Sequence, residues 1–372
     1  MSVMKAHPHI SVHRGAGAVL NDPGVLAALG KRILIVTSGT AGERSGALAD
    51  VRTVLNDAGV LYSVCDSVRP NPDLDDCLAV ADVAKAFGAD ALVAIGGGSP
   101  LDVTKIVSIL AAGADASDLS GNVSGVPSLP FVAIPTTAGS GSEVTRYAVV
   151  LDHENHSKRT VAGDALYPAA VFLDGRYTEG LPLKVTRYTA LDALSHLVEG
   201  YISNKATDVS DALAVDGMIL FGMARDPLLK GKFDHNDRVR LLDASHLGGR
   251  VIDITRSNAP HAMGYHLTYA HGIPHGSACA VFLSEFLRFN EPTSGEKIKR
   301  LLAALGMKDI DEFEGFVLSL LEKDVRVTDT EIRKMIPVIA SHSRVSNSPR
   351  PLSEEDLFAI AKRSVGNSET SL

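Results

Sequence analysis

Four short apolar runs, at residues 32–37, 61–65, 91–95 and 131–134, punctuate the first third of the chain. Each is too short for a helix and shows no polar alternation, the pattern of a strand buried on both faces. Helical patterns at 48–58, 73–87 and 101–112 separate them, the second opened by the capping signal Asn71-Pro72-Asp73. Strands alternating with helices predict a parallel sheet covered on both sides. After about residue 180 the character changes. Leu181-Pro182 closes the strand-rich part, and helical periodicity follows over 191–201, 208–223, 237–254 and 277–289, continuing to Ala361. The 372 residues therefore read as two domains, an α/β domain over 1–182 and an all-helical domain over 183–372. A cleft between them is the default place for a ligand.

Hydrophobic content of 45% and charged content of 22% are ordinary for a globular enzyme. A net charge of −8 argues against nucleic acid or an anionic membrane as partner. Cys65, Cys77 and Cys279 are too few and too scattered for a disulfide framework, which predicts buried, reduced thiols and a cytoplasmic protein. Residues 1–8 contain no apolar stretch of the signal-peptide kind, and no apolar run is long enough to span a bilayer.

Asp192 and His196 lie four apart in a helical stretch, which puts a carboxylate and an imidazole on one face. The segment from His261 to His275 holds four of the thirteen histidines in fifteen residues. Asp192, His196, His261 and His275 together suit one divalent first-row cation, iron(II) or zinc, better than magnesium or calcium. With no thiol in the set, metals selected by sulfur are disfavoured.

Gly96-Gly97-Gly98-Ser99-Pro100 sits between a predicted strand and a predicted helix. Backbone amides there attract phosphate, and Pro100 in the first turn needs no donor. The spacing is neither that of a Gly-x-Gly-x-x-Gly fingerprint nor that of a Walker loop, and alone such a turn is equally consistent with plain packing. A second loop of hydroxyls and glycines, Thr136-Thr137-Ala138-Gly139-Ser140-Gly141-Ser142-Glu143, also follows a strand, and two such loops together point to a dinucleotide.

Four stretches resemble the iron-dependent (group III) alcohol dehydrogenases. They are the glycine loop continued to Leu101-Asp102 and Lys105, the segment Pro135 to Thr145, the Asp192-Ala193-Leu194-Ser195-His196 segment with Glu199, and His261 to Gly276. Pro70-Asn71-Pro72 and Asn347-Ser348-Pro349-Arg350 add smaller matches, in family order over nearly the whole chain. The resemblance implies an N-terminal Rossmann-like domain and a C-terminal metal-binding domain. It implies that Asp192, His196, His261 and His275 hold the metal, usually iron(II) and sometimes zinc. It also implies that Gly97, Gly98 and Ser99 bind a pyrophosphate, with Asp102, Thr136, Thr137, Ser140 and Lys158 near the cofactor, and that Glu199 either lies on the helix surface or backs a ligand without being one itself. The expected activity is that of an alcohol dehydrogenase or aldehyde reductase, transferring hydride between a nicotinamide and a small alcohol or aldehyde, in a homo-oligomer such as a dimer. A dehydroquinate synthase-like or glycerol phosphate dehydrogenase-like member of the same superfold is the alternative.

Two positions depart from the family pattern. Tyr265 stands where many members have a further histidine, with His266 beside it, so the proton route is expected to use His266 or His271, and Tyr265 takes part in it or shapes the pocket. Ser38 stands where NAD-preferring members carry an acid after the first strand. With Ser38-Gly39-Thr40 and Arg44 available as donors, NADP(H) is expected to be accepted and preferred over NAD(H). Arg146, Tyr147, Tyr265, His266 and His271 are candidates for a partly cationic pocket that suits a small aldehyde bearing a phosphonate, sulfonate or carboxylate.

Overall fold

The computed structural model describes residues 10–120, 122–153, 157–321 and 325–366. The reading of residues 1–8 lies outside them. The chain divides into two compact units, Met1–Leu181 and Pro182–Leu372.

The first unit contains β1 (Ser11–Arg14), β2 (Arg32–Val36), β3 (Leu61–Cys65), β4 (Ala91–Gly96), β5 (Phe131–Pro135), β6 (Tyr147–Asp152), β7 (Ser157–Ala162) and β8 (Ala170–Leu173). Six of these form a parallel sheet in the order β1-β8-β5-β4-β2-β3. The pleat explains the unbroken apolar runs. Leu34, Leu92 and Phe131 pair across the sheet and pack on one side with Val80, Val103 and Ile106. Their neighbours Ile35, Val93 and Val132 point the other way, against Val51, Val54 and Leu55. Both faces are covered, as the sequence predicts.

Strand order reverses between β2 and β4, because β3 lies on one side of β2 and β4 on the other. In open α/β sheets the crevice at such a switch point, beyond the carboxyl ends of the strands, is where ligands bind. The loops after β2 and β4 are Ser38-Gly39 and the glycine loop.

The helix Leu74–Phe87 starts where its cap directs. Asp73 accepts from the Asp76 amide at 2.9 Å, and the Asp76 side chain accepts from the Asp73 amide at 3.0 Å. The next helix, Gly98–Ala111, begins three residues before its predicted start, so Gly98, Ser99 and Pro100 form its first turn. The antiparallel pair β6–β7 is absent from the sequence reading; β6 packs on the Gly98–Ala111 helix, and Ala148, Val150 and Val161 join the core on that side.

A buried ion pair braces the second loop. Lys105, fully buried, places Nζ 2.9 Å from Ser142 Oγ, 2.9 and 3.1 Å from Thr145 O and Oγ1, and 2.7 Å from Tyr147 O. Asp102 accepts from Ser142 Oγ and, at 3.1 Å, from the Val149 amide, and lies 4.0 Å from Lys105 Nζ.

In the second unit the regular elements among the described residues are helices, apart from an isolated bridge between Val327 and Gly366. The Asp208–Met223 helix matches its predicted span, with Thr207 and Ser210 closing a capping box. Two spans differ. The first helix covers Leu183–Tyr201, eight residues more than its apolar pattern announces. Its polar first turns are held from outside, by Arg187 donating to Leu228 O at 3.0 Å and Leu229 O at 2.9 Å. The predicted helix at 277–289 is instead two, His275–Ala280 and Leu283–Ala304, broken at Val281 and Phe282. None of the three cysteines forms a disulfide, and all are buried. Among the described residues no helix is long and apolar enough to cross a membrane.

Replacing Lys105 by Met leaves the Asp102 carboxylate without its countercharge. It should destabilise the protein by about 3–5 kcal/mol. A denaturant titration followed by circular dichroism measures this, and Lys105→Met with Asp102→Asn should recover part of the loss.

Candidate metal centre and nucleotide loops

Asp192, His196 and Glu199 occupy positions i, i+4 and i+7 of the Leu183–Tyr201 helix, one face of it. His261 lies in the first turn of the Ala259–His271 helix, and His275 opens His275–Ala280. The fold converges these on one oxygen. Asp192 Oδ1 lies 3.8 Å from Nε2 of His196, 3.7 Å from Nε2 of His261 and 3.8 Å from Nε2 of His275. A tetrahedral cation with bonds of about 2.1 Å sets its donors about 3.4 Å apart, within a few tenths of these distances. Asp192 Oδ1 is buried and has no hydrogen-bond partner among the described residues. A carboxylate oxygen in that position is costly unless a cation takes it, so the donor set fits a divalent metal. The rings of His196 and His261 stack at 4.8 Å, and His275 meets His261 edge-on at 5.3 Å.

Glu199 fixes His261. Its side chain is fully buried and accepts from His261 Nδ1 at 2.6 Å, which turns Nε2 toward Asp192. It also accepts from the Asn258 amide at 2.6 Å and the His261 amide at 3.4 Å, at the N-terminus of the Ala259–His271 helix. Burial pushes its carboxyl pKa up, and the Asn258 amide and His196 oppose that shift in favour of the carboxylate. His275 is seated by a glycine: a Cβ on Gly276 would lie 1.9 Å from Tyr188 O and 2.7 Å from the Asp192 amide. The His275–Ala280 helix therefore packs backbone to backbone on Leu183–Tyr201.

Of the three residues expected in proton transfer, Tyr265 is brought to this group. Its ring stacks on His275 at 5.4 Å, and burial pushes its phenol up to about 12. His271 is not brought there. It lies ten residues along the helix from His261, about 15 Å of rise, is exposed, and pairs with Glu331 at 2.7 Å. His266 lies on the side of Glu331 and His271, and burial lowers its pKa.

Three residues the sequence reading left out join the centre. Cys279 Sγ lies 3.6 Å from His275 Nδ1, so a thiol stands beside a donor set that itself contains none. Arg344 lies over the Tyr265 ring at 4.9 Å and donates to His342 Nε2 at 3.0 Å and Ser257 Oγ at 2.7 Å. His342 packs on Tyr265 at 5.9 Å, and burial with the Arg344 charge lowers its pKa to about 4. Cys279 had a signal in its i+4 spacing from His275; His342 and Arg344, some eighty residues away in sequence, had none.

In the N-terminal unit the two predicted loops touch. A Cβ on Gly97 would lie 3.0 Å from Thr137 Oγ1, and one on Gly98 would lie 3.2 Å from Ser140. Thr136 is buried and its amide donates to Gly96 O at 2.9 Å. Ser99 Oγ accepts from the Asn71 amide at 3.3 Å, and Lys158 Nζ donates to Asn71 Oδ1 at 3.1 Å. Asn71, at φ 51°, thus ties Lys158 to the glycine loop. Asp102, expected near the cofactor, spends one oxygen on Ser142 of the second loop and the other on the Val149 amide of β6. Ser38 Oγ donates to Val68 O at 2.7 Å and the Gly39 amide to Asp66 O at 2.6 Å, so these two donors, expected to face a 2′-phosphate, are used within the protein. Arg146, named for a cationic pocket, lies over Tyr167 at 5.7 Å and 3.8 Å from Asp164, while the backbone oxygen of Tyr147 accepts from Lys105.

Residues 9–175 match the family model for iron-containing alcohol dehydrogenase, and residues 186–365 the model for the C-terminal part of the same family. Lactaldehyde reductase of Escherichia coli (strain K12) is 30% identical over 367 residues, 93% of this chain and 95% of its own. Sulfoacetaldehyde reductase of Bilophila wadsworthia is 35% identical over 272 residues, 72% of this chain and 70% of its own. The crystal structure of an iron-containing alcohol dehydrogenase from Thermotoga maritima superposes with a TM-score of 0.89 at 31% identity, over 98% of this chain and 99% of that one.

Glu199→Ala removes the acceptor that orients His261 and leaves the Asn258 amide unanswered. Metal affinity should fall by about 10–100-fold, read by competition with a chromophoric chelator on protein whose circular dichroism shows it folded.

Proposed function

The chain belongs to the iron-containing alcohol dehydrogenase family, and from that premise we propose that it is a metal-dependent, nicotinamide-linked alcohol dehydrogenase that reduces small aldehydes. The observation that carries this is the convergence of three imidazole Nε2 atoms on Asp192 Oδ1 at 3.7–3.8 Å. We assign Asp192, His196, His261 and His275 as ligands of one divalent first-row cation, and the Pro182–Leu372 unit as the metal domain. When bound, the cation supplies Lewis acidity at the substrate oxygen and the dinucleotide gives or takes the hydride. The family matches favour this over a lyase or a polyol-phosphate enzyme.

The protein's own residues do the rest. Glu199 holds His261 in the tautomer that offers Nε2. Gly97, Gly98 and Ser99, at the first turn of a helix beside the switch point, offer amides to the pyrophosphate, with Thr136, Thr137, Ser140 and Lys158 around them. Tyr265, protonated at neutral pH and stacked on His275, takes the place at the pocket that His266 and His271 do not reach. The positive charge of Arg344 lies one aromatic ring from His275. It supports a substrate that carries an anionic group, in keeping with the similarity to a sulfoacetaldehyde reductase. Buried free thiols support a reducing, cytoplasmic setting, and a homodimer is the proposed working form.

NADH or NADPH oxidation with short aldehydes, with and without a sulfonate or carboxylate, tests this. Chelator-treated protein should be inactive, and iron(II) or zinc should restore it. His275→Ala should lose the metal and at least about a hundredfold in kcat/KM, while cofactor fluorescence titrations stay close to the parent. Full turnover by metal-free protein would sink the reading.

The loop after β2 has no acid at Ser38, so both NADH and NADPH should be accepted. Ser38→Asp adds a carboxylate that bonds a ribose hydroxyl and repels a 2′-phosphate. The ratio of kcat/KM for NADPH to that for NADH should fall by about tenfold, roughly 1.4 kcal/mol. Ser38→Ala, which removes only the bond to Val68 O, should leave the ratio unchanged.

A further inference from the structure

Cys279 lies beside the Asp192 group and has no part in the set of four just assigned. It follows His275 by one turn of the same short helix and is fully buried. Sγ lies 3.6 Å from His275 Nδ1 and 3.8 Å from Nε2. One donor atom from each of Asp192, His261, His275 and Cys279 can be chosen so that all lie within 4.8 Å of one another. Gly264 makes the room: a Cβ there would lie 2.8 Å from Sγ. The unpartnered Asp192 Oδ1, which asks for a cation on its own account, belongs to this group as well.

Two overlapping donor sets thus share Asp192, His261 and His275. One is completed by the imidazole of His196, the other by the thiol of Cys279. We propose that the two sets divide the metals, His196 completing the site for iron(II) and Cys279 completing it for zinc. The inference rests on the reading of the Asp192 group as a metal centre. Its chemistry is that of ligand softness. Thiolate selects zinc, whereas imidazole and carboxylate also suit iron(II). Zinc has no geometric preference from its d electrons, so it accepts either arrangement of four donors. Taking the sulfur requires the thiol proton to leave: a zinc–sulfur bond forms, the S–H bond breaks and the proton passes to buffer, with no change of oxidation state.

Metal-free protein loaded anaerobically with zinc, iron(II) or cobalt(II) as the probe tests this. The cobalt form should show a thiolate-to-metal charge-transfer band that Cys279→Ala abolishes. Cys279→Ala should lower zinc affinity by about tenfold or more and change iron(II) affinity by less than about twofold. His196→Ala should do the reverse, losing iron(II) and keeping zinc. A cobalt form of the parent protein without that band, or equal zinc affinity in the parent and Cys279→Ala, overturns the proposal and leaves the four-ligand reading standing. The band needs only the parent protein, so a misfolded variant does not decide the matter. If the parent binds none of the three metals, the metal-centre reading falls with it.

Discussion

The buried carboxylate of Glu199 is the contact on which the C-terminal unit's chemistry depends. A carboxylate without solvent costs several kcal/mol unless its lone pairs are filled. Here they meet the Asn258 amide, the His261 amide and His261 Nδ1. One group therefore does two things. It answers the positive end of the Ala259–His271 helix dipole, and it sets which nitrogen of His261 faces Asp192. Because Glu199 shares a helix face with Asp192 and His196, the helix that carries two donors also positions the third. His275 arrives by a different constraint, the missing side chain at Gly276. The donors are thereby held by packing and hydrogen bonds that exist without a cation, so little need be reorganised when one binds.

The N-terminal unit solves a comparable problem with the opposite charge. Lys105 is an ammonium with no exposure, and four oxygens of the Ser142–Tyr147 segment surround it. The brace holds the second loop against the first, where Gly97 and Gly98 leave only van der Waals room to Thr137 and Ser140. Lys105, three residues after Asp102, stands in the wrong place for the lysine of a Walker loop. Its burial assigns it instead to the shape of the loops, and Lys158, reached through Asn71, is the cation that lies by Ser99.

Most of the fold was legible because its signals are local. Strand runs at 32–37 and 91–95 carry their burial on both faces in their composition, and Asp73 and Thr207 announce helix starts by capping. The extra turns of Leu183–Tyr201 were not legible, since Arg187 holds them through carbonyls of residues 228 and 229. The Asp192–His196 spacing was legible for the same local reason, and His261 and His275 by their density. Glu199 was only half legible: its helix face follows from spacing, its complete burial from the approach of Asn258, sixty residues on. The neighbouring sulfur was not legible: the Asp192–His196 and His261–His275 spacings include no thiol, yet Cys279 stands one helical turn after His275.

The four donors differ in exposure, and the difference bears on specificity. The side chains of His261 and His196 are 3% and 6% exposed and that of Asp192 is 12%, whereas that of His275 is 26% exposed. Solvent, and anything that must approach the donors within this unit, meets them on the His275 side. Tyr265 is stacked there, and Arg344 and His342 lie on Tyr265 in turn. Burial keeps His342 neutral at physiological pH, so Arg344 supplies the positive charge at this edge. Asp192, His196, His261 and His275 thus lie in compact, recognisable spacings. The groups packed beside them at the more exposed edge come from residues 265 and 342–344, which only the tertiary fold unites.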